Sequence, residues 1–407
     1  MIFRSLNMAV MVGALAAVGT TAAYAQDACG DIDGQTAAYT KFTELFPKKS
    51  IADRKATIEA GKQFLEKYGT CESVKEQADY LKGAIPKMEE GVKNAEGAAV
   101  RSEILKRYDA GIQGKKWDEA YAAGGEFVAK YPNDPAEINI IVPLGLIGLV
   151  ETENKNTKYN AETLKYANRA LALFKNNVKS TKDSGNFGVF QFEGTRDNTV
   201  ADLTYAIGYI TFYDKKDRKG ALPSLFEVTK TARYKNDPRV YATIGSYYID
   251  ESAPIGQGIQ TLINEQKAAT TPEDKLAKEN AIKEKISVFN GYTERAIDAY
   301  ARAAAAAKAE TPAQKAYKDE LNKIVEELYV RRFEKKDGLP AYVASAVAKP
   351  FVDPTTPVQP VADPEPAKTD VDTTTSAPAA DTAKPAPTKP VSSVPAKAAV
   401  KTVKKTR

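Results

Sequence analysis

The sequence predicts an all-α protein, and three features of its 407 residues support that class. Residues that cap helix N-termini recur along the chain, often beside a proline that can begin a helix without losing a hydrogen bond. Glycines follow several of the predicted helices. Alternation of apolar and polar residues with period two is almost absent, and residues 187–192 are the one strand-like fragment. We therefore expect about a dozen helices between residue 35 and about residue 348.

Helix boundaries are predicted from capping residues and glycines. A Ser, Thr or Asp side chain that accepts a hydrogen bond from the first turn marks a start. The predicted starts are Ser50 with Asp53, Ser73 with Glu76, Asp134-Pro135 with Glu137, Asp237-Pro238, Thr271-Pro272, and Thr311-Pro312 with Gln314. The predicted ends, where a glycine can adopt the left-handed conformation, are Gly69, Gly91, Gly114 and Gly338.

The first 25 residues have the pattern of a secretory signal peptide. Arg4 precedes an apolar stretch over residues 8–18, and the small-residue motif Ala23-Tyr24-Ala25 follows. This order predicts cleavage after Ala25 and a periplasmic or secreted protein without a transmembrane span. The alternative is an uncleaved membrane anchor, because residues 7–25 approach the length of a membrane span.

Cys29 and Cys71 are the only two cysteines of the chain. In an exported protein such a pair predicts a structural disulfide, here within an N-terminal helical segment of residues 26–97. The alternative is a redox site, but the chain has no C-x-x-C motif that would lower the pKa of a thiol.

The composition excludes several functional classes. The chain has no histidine, which excludes Ser-His-Asp and Cys-His catalysis and histidine-containing metal sites. Two cysteines cannot form a four-cysteine zinc site or hold an iron–sulfur cluster. Residues 26–351 contain 49 basic and 47 acidic side chains, too even a balance for a nucleic-acid-binding protein. We expect no cofactor, no metal and no nucleic acid.

An enzyme of this composition would need a site of paired carboxylates. Acidic doublets occur at Glu89-Glu90, Asp250-Glu251 and Glu326-Glu327, on predicted helices rich in lysine. Such doublets are typical of solvated helix faces with ion pairs four residues apart. The segment Gly256-Gln257-Gly258 follows no strand and lacks a third glycine, which excludes a dinucleotide loop. The sequence therefore favours a protein that is not an enzyme.

Repeated patterns predict how the helices are arranged. The segment Tyr205-Ala206-Ile207-Gly208-Tyr209 is echoed at residues 241–248, with Gly245 in the place of Gly208. Patterns of a second helix occur at Trp117-Asp118-Glu119-Ala120 and at residues 296–303. The chain thereby resembles the tetratricopeptide-repeat (TPR) family over residues 100–134, 201–251 and 293–307. The resemblance implies a TPR-like superhelix, or α-solenoid, over residues 98–351.

By this resemblance, first-helix residues would line a concave face that binds a protein partner. They are Asp202, Tyr205, Tyr209, Phe212, Arg239, Ala242, Ser246 and Ile249. The family's clamp for C-terminal carboxylates uses Lys, Asn and Arg at such places, so the tyrosines of this chain argue against that ligand. The alternative is that the stripe of Tyr205, Tyr209 and Phe212 packs in the core.

Two further segments have more than one interpretation. Residues 180–198 form a long loop with Phe187, Phe190 and Phe192, and they are a second binding candidate because long loops often carry function. Residues 140–150 are apolar but too short and too interrupted for a membrane span, which predicts one buried central helix.

Residues 352–407 form a predicted disordered tail, since they hold 10 of the 22 prolines alongside Ala, Thr, Lys and Asp and cannot build a core. Acidic residues dominate until Asp381. Residues 384–407 hold seven basic side chains, the first Lys384 and the last Arg407, and no acid. The tail is either a solubilising linker or a basic tip attracted to an anionic envelope surface.

Together these features predict an exported, non-enzymatic scaffold that binds a protein partner through its helical surface. One alternative is an envelope-tethering protein that binds through the basic tail. Another is an enzyme with an unrecognised carboxylate site.

Overall fold

A computed structural model of the chain describes residues 28–152 and 154–363. The predicted signal peptide and basic tip lie outside these residues. The helices are α1 (Ile32–Leu45), α2 (Ile51–Tyr68), α3 (Lys75–Gln113), α4 (Trp117–Lys130), α5 (Glu137–Leu144), α6 (Ile147–Thr152), α7 (Asn160–Lys175), α8 (Arg196–Tyr213), α9 (Arg218–Thr229), α10 (Pro238–Ala268), α11 (Pro272–Ala306), α12 (Pro312–Phe333) and α13 (Leu339–Ala348), with 3₁₀ turns at Glu72–Val74 and Phe190–Phe192. Among the described residues, pairing of extended backbone is limited to one bridge between Phe187 and Gly194. The all-α class is confirmed.

The chain divides into two compact units, the first ending at Arg107 and the second beginning at Tyr108. This division falls inside α3, as does the boundary at residues 97/98 suggested by the sequence.

The first unit has its own core between α1, α2 and α3. Phe42, Phe64 and Leu81 are almost completely buried there. Cys29 and Cys71 form the predicted disulfide beside this core. The buried amide of Gln35 donates to the carbonyl oxygens of Ala28 and Cys29, both at 3.0 Å, and so holds the start of the described chain against α1.

Most predicted helix starts are present. The hydroxyl of Ser50 accepts from the amide of Asp53, and Asp237 and Thr271 cap α10 and α11. Thr311 and Gln314 form a complete capping box at the start of α12. Ser73 is an exception, because its hydroxyl donates to the side chain of Gln35 and α3 begins two residues later. Asp134 is another, since it accepts from the amide of Ala136 just before α5 and does not cap that helix.

The predicted helix ends are less accurate. The backbone of α3 continues through Gly91, and Gly69 caps α2 with a right-handed φ of −64°. Gly338 is left-handed with φ 89°, but it precedes α13, while Glu334 ends α12.

The second unit contains two successive helix pairs, α8 with α9 and α10 with α11. In each pair a glycine of the first helix lies under a large side chain of the second. A Cβ at Gly208 would lie 3.0 Å from Leu225, and a Cβ at Gly245 would lie 2.6 Å from the ring of Tyr300. The small residues that the sequence analysis singled out therefore permit close packing of these helices.

The apolar run at residues 140–150 is buried, but it does not form the single helix that the sequence predicts. It is divided between α5 and α6, with Gly145 between them. A Cβ at Gly145 would lie 2.9 Å from the backbone of Ala167, so α7 leaves no room for a side chain there. In the described part of the chain, no helix is both long and apolar enough to cross a membrane.

The predicted disordered tail begins too early at residue 352. Residues 349–363, called the C-terminal strap below, contain no helix, turn at residues 354–356 and pack within the second unit, where Pro354 is buried. The amide of Val361 donates to the carbonyl oxygen of Ser287 at 2.8 Å. The remainder of the predicted tail, residues 364–407, lies outside the described residues.

Candidate partner-binding surface

Three tyrosines form a row along α8. Tyr205, Tyr209 and Tyr213 follow one another at intervals of four residues, which places them on one helix face. Their neighbouring ring centroids are 5.9 Å and 4.6 Å apart. Tyr205 is buried, whereas Tyr209 and Tyr213 are half-buried. The row therefore starts in the core and reaches the surface.

The predicted stripe of Tyr205, Tyr209 and Phe212 is corrected in two respects. Tyr205 and Phe212 are only 4% and 3% exposed, so neither can contact a partner through most of its ring. Phe212 lies next to Tyr213 in the chain and packs in the core, under the guanidinium of Arg218. Tyr213, missed in the sequence analysis, takes its place, and the four-residue spacing could have identified it.

Arg239 joins the row of tyrosines from the start of α10. Its guanidinium carbon lies 5.9 Å from the ring centroid of Tyr205, a cation–π geometry. The same group pairs with the carboxylate of Asp237, with Nη2 2.6 Å from Oδ2. Asp237 also caps α10, so the N-terminus of that helix fixes the position of the arginine. The guanidinium itself remains exposed.

The other predicted residues of α8 and α10 lie partly on this surface. The side chain of Asp202 accepts from Tyr234 at 2.7 Å and pairs with Arg233. Ser246 donates to its own helix, and Ile249 is half-buried. Ala242 is also half-buried. Six of the eight residues predicted for the concave face are thus accessible in part, and only Tyr205 and Phe212 are buried.

A link between α8 and α10 fixes the middle of the surface. The hydroxyls of Tyr213 and Thr243 lie 3.0 Å apart and share a hydrogen bond. Burial raises the pKa of both Tyr209 and Tyr213. Both phenols are protonated at neutral pH. The Tyr209 hydroxyl can donate to a ligand, whereas Tyr213 donates to Thr243, whose own hydroxyl donates to the carbonyl oxygen of Arg239 at 2.8 Å, so Tyr213 can only accept from a ligand.

Tyr317 of α12 is a further half-buried tyrosine of this neighbourhood that the sequence analysis missed. Burial raises the pKa of Tyr317 to about 12, and the charges of Asp237 and Arg239 are close enough to act on it. Its sequence context is a lysine-rich helix, which does not distinguish it from an ordinary surface residue.

The second candidate, the loop at residues 180–198, is largely structural. Phe187 and Phe192 are buried, and Phe192 packs edge-on against Trp117 with ring centroids 6.2 Å apart. Asn139 holds the loop by accepting from the amide of Gly188 at 3.0 Å. Phe190 is 43% exposed and has φ 52°, so it is the one phenylalanine of this loop available to a partner.

The acidic doublets lie on helices, and at least one carboxylate of each doublet pairs with a lysine or an arginine. Glu89 pairs with Lys62 at 2.6 Å, Asp250 with Arg218, and Glu326 with Lys336. No group of three or more His, Cys, Asp or Glu side chains suited to a metal ion occurs within residues 28–152 and 154–363. Among the described residues, the aromatic face of α8 and α10 is therefore the best-defined candidate site.

Comparisons with known proteins find no matching family model, no matching curated protein and no matching solved structure.

Proposed function

We propose that this protein is an exported, non-enzymatic scaffold that binds another protein. The binding site is the tyrosine surface, defined as Tyr209, Tyr213, Arg239, Ser246 and Tyr317, with Asp202 and Ile249 at its margins. The observation that carries the proposal is the half-exposed ring of Tyr209, which is held on both sides by the rings of Tyr205 and Tyr213.

The chemistry of this surface suits protein recognition. Tyrosine and arginine are the side chains most enriched at binding hot spots, because they combine large apolar area with directional hydrogen bonds. Here the rings are already fixed by their neighbours, so binding would cost little side-chain entropy. The acids nearby, Asp202, Asp237 and Asp250, are each paired with an arginine. A partner would therefore be recognised through aromatic contacts and phenol hydroxyls more than through net charge.

Two structural features support the wider proposal. The repeated close approach at Gly208 and Gly245 supports a TPR-like solenoid, because successive helix pairs use the same packing device. The disulfide between Cys29 and Cys71 supports export, since such bonds persist in oxidising compartments. The signal-peptide pattern of residues 1–25 supports the same conclusion.

The test compares Tyr209→Ser with Tyr80→Ser in binding to the partner that native cells yield after cross-linking. Tyr80 lies on α3 and is 49% exposed, so it matches Tyr209 in residue type and helical setting. We expect Tyr209→Ser to weaken binding about tenfold or more, as hot-spot residues do, and Tyr80→Ser to leave it unchanged. Equal binding by both variants would contradict the proposal.

The alternative function is envelope tethering by the basic tip. One observation favours it: the strap is anchored as far as Asp363 by Asn290 and Arg332, so the segment that carries the basic tip is joined to a fixed point of the folded body. Seven basic side chains at the end of that segment would attract an anionic polymer or lipid surface. Truncation after residue 383 distinguishes the two functions. A tethering protein should then no longer bind the envelope at low salt, whereas a scaffold should still bind its protein partner.

A further inference from the structure

A buried tyrosine continues the row of Tyr205, Tyr209 and Tyr213 into the core. Tyr234 lies between α9 and α10, and its ring centroid is 4.7 Å from that of Tyr205. The centroids of Tyr205 and Tyr209 are 5.9 Å apart, and those of Tyr209 and Tyr213 are 4.6 Å apart. Tyr234 is 7% exposed, whereas Tyr209 and Tyr213 are half-buried. Four neighbouring phenol rings therefore join the surface to a buried tyrosine.

Tyr234 is distinguished by the hydrogen bond of its phenol. Its hydroxyl donates to Oδ1 of Asp202 at 2.7 Å. Tyr213 instead donates to the neutral hydroxyl of Thr243. An ionised carboxylate only accepts hydrogen bonds and can take up a proton, which a threonine hydroxyl does not do at neutral pH. In the part of the chain that the structure describes, Tyr234 is thus the member of this row whose hydroxyl donates to a base.

This hydrogen bond makes Tyr234 the favoured place for a one-electron oxidation. Removal of an electron turns a phenol into a strong acid, and the proton can then move along the existing bond to Asp202. The products are a neutral tyrosyl radical and a neutral carboxylic acid, so the buried ring carries no charge. Arg233 loses a negative neighbour when Asp202 is protonated, but its side chain is 46% exposed and water can solvate it.

The ring of Tyr205 is suited to pass an electron on but not to remain oxidised. The guanidinium carbon of Arg239 lies 5.9 Å from its centroid, and this fixed positive charge opposes a second positive charge on the ring. Arg233 lies at a similar distance from Tyr234, 6.0 Å, but the Tyr234 radical is neutral once its proton has left. The oxidised state therefore comes to rest at Tyr234.

We propose that the oxidation relay, defined as Tyr209, Tyr205, Tyr234 and Asp202, is a site of one-electron oxidation that transfers the oxidised state from the surface to the core. Its substrates are small one-electron oxidants, such as radicals derived from peroxides. The oxidant gains one electron, Tyr234 loses one electron and its phenolic proton, and Asp202 binds that proton. The relay goes beyond the proposed function, since it acts in the free protein and requires no partner.

Flash photolysis of the full-length protein without a partner tests this proposal. Excitation of tris(bipyridine)ruthenium(II) in the presence of persulfate generates a one-electron oxidant in solution. The tyrosyl radical is followed by its absorbance and by electron paramagnetic resonance of freeze-quenched samples. We expect a long-lived radical that forms more slowly in D₂O, because the phenolic proton moves in the same step. Asp202→Asn keeps an acceptor oxygen but no base, and should form this radical about a hundredfold more slowly, the low end of what a positioned proton acceptor contributes.

Two conservative variants assign the site of the radical. Tyr234→Phe retains the ring but has no phenolic proton, and it should lose the long-lived radical. The radical then stays at the surface, so mass spectrometry should detect more covalent dimers joined through Tyr209. Tyr205→Phe raises the oxidation potential of the intermediate ring, and it should delay the radical without changing its lifetime.

Tyr80→Phe is the matched control, because it removes an exposed tyrosine of α3 and should leave the yield, rate and lifetime of the radical unchanged. Circular dichroism establishes that each variant is folded. A long-lived radical of equal yield in Tyr234→Phe would overturn the proposal. Equal rates of radical formation in the unmodified protein and in Asp202→Asn would also overturn it, because the carboxylate would then not take the proton.

Discussion

Tyr209 and Tyr213 lie on successive turns of α8 with their ring centroids 4.6 Å apart, and the hydroxyl of Tyr213 is bonded to Thr243 of α10. Both tyrosines are half-buried, whereas Tyr205, one turn earlier on the same helix face, is buried in the core. This arrangement separates residues that support the fold from those that can contact a ligand, and it allows the two roles to be tested one residue at a time.

Tyr205→Ser and Tyr209→Ser should have different effects on stability. Tyr205 is buried among Tyr209, Tyr234 and Arg239, so its loss leaves a cavity that costs about 3 kcal/mol of unfolding free energy. Tyr209 is only partly buried, and its loss should cost about 1 kcal/mol. Urea unfolding of the full-length variants measures both values. Equal losses would show that Tyr209 is a core residue, and the tyrosine surface would then lose its central member.

Gly245→Ala should destabilise the second unit by about 2 kcal/mol, because the added Cβ would overlap ring carbons of Tyr300 2.6 Å away. Gly256→Ala on the same helix is the matched control. Its Cβ would make only an ordinary contact with Phe289 at 3.5 Å, and alanine favours a helix interior by about 0.5–1 kcal/mol. Thermal unfolding followed by circular dichroism checks the pair. A Gly245→Ala variant as stable as Gly256→Ala would show that the two helices can separate without cost.

Loss of the disulfide should destabilise the first unit. The sequence separation between Cys29 and Cys71 is 42, and loops of this length contribute up to about 4 kcal/mol by the chain-entropy argument. The double variant Cys29→Ser/Cys71→Ser should therefore unfold at lower urea concentration in α1 and α2. Hydrogen exchange resolved by segment detects this change. Unchanged protection of those helices would mean that the packing of Phe42 and Phe64 is sufficient without the bond.

Alkaline pH should unfold the second unit. Burial raises the pKa of Tyr248 and of Tyr317 to about 12, while tyrosines of the unfolded chain ionise near 10. Because the folded-state pKa is the higher one, the unfolded state releases protons first. The stability from these groups is complete below about pH 10 and is lost as the pH rises towards 12. Tyrosinate absorbance measured together with circular dichroism should show ionisation and unfolding over one pH interval. Tyrosinate formation with the fold intact throughout that interval would contradict this expectation.

The helix starts could be predicted from sequence because capping is a local interaction. Thr311 and Gln314 are three residues apart and satisfy each other's backbone groups whatever the rest of the chain does. Helix ends depend more on tertiary structure. Gly91 has no atom within 4 Å of a Cβ position, and α3 passes through it because nothing in the surroundings requires the chain to turn.

The site could be predicted only in part. The four-residue spacing is enough to identify the row of Tyr205, Tyr209 and Tyr213, but how deeply each ring is buried depends on how α8 packs against α9 and α10. The strap could not be found at all from composition. Its frequent prolines are typical of disorder, and the side chains that hold it in place, Arg332 and Asn290 among them, lie far from it in sequence.

The most direct test of the central claim places a photo-cross-linking amino acid at position 209 of the full-length protein in its native cells, with position 80 as the control. The account predicts that position 209 yields adducts to one reproducible partner protein and that position 80 does not. It also predicts that the adducts persist when residues 384–407 are removed, because the tyrosine surface and not the basic tip makes the contact. Position 209 giving no more adducts than position 80 would contradict the account.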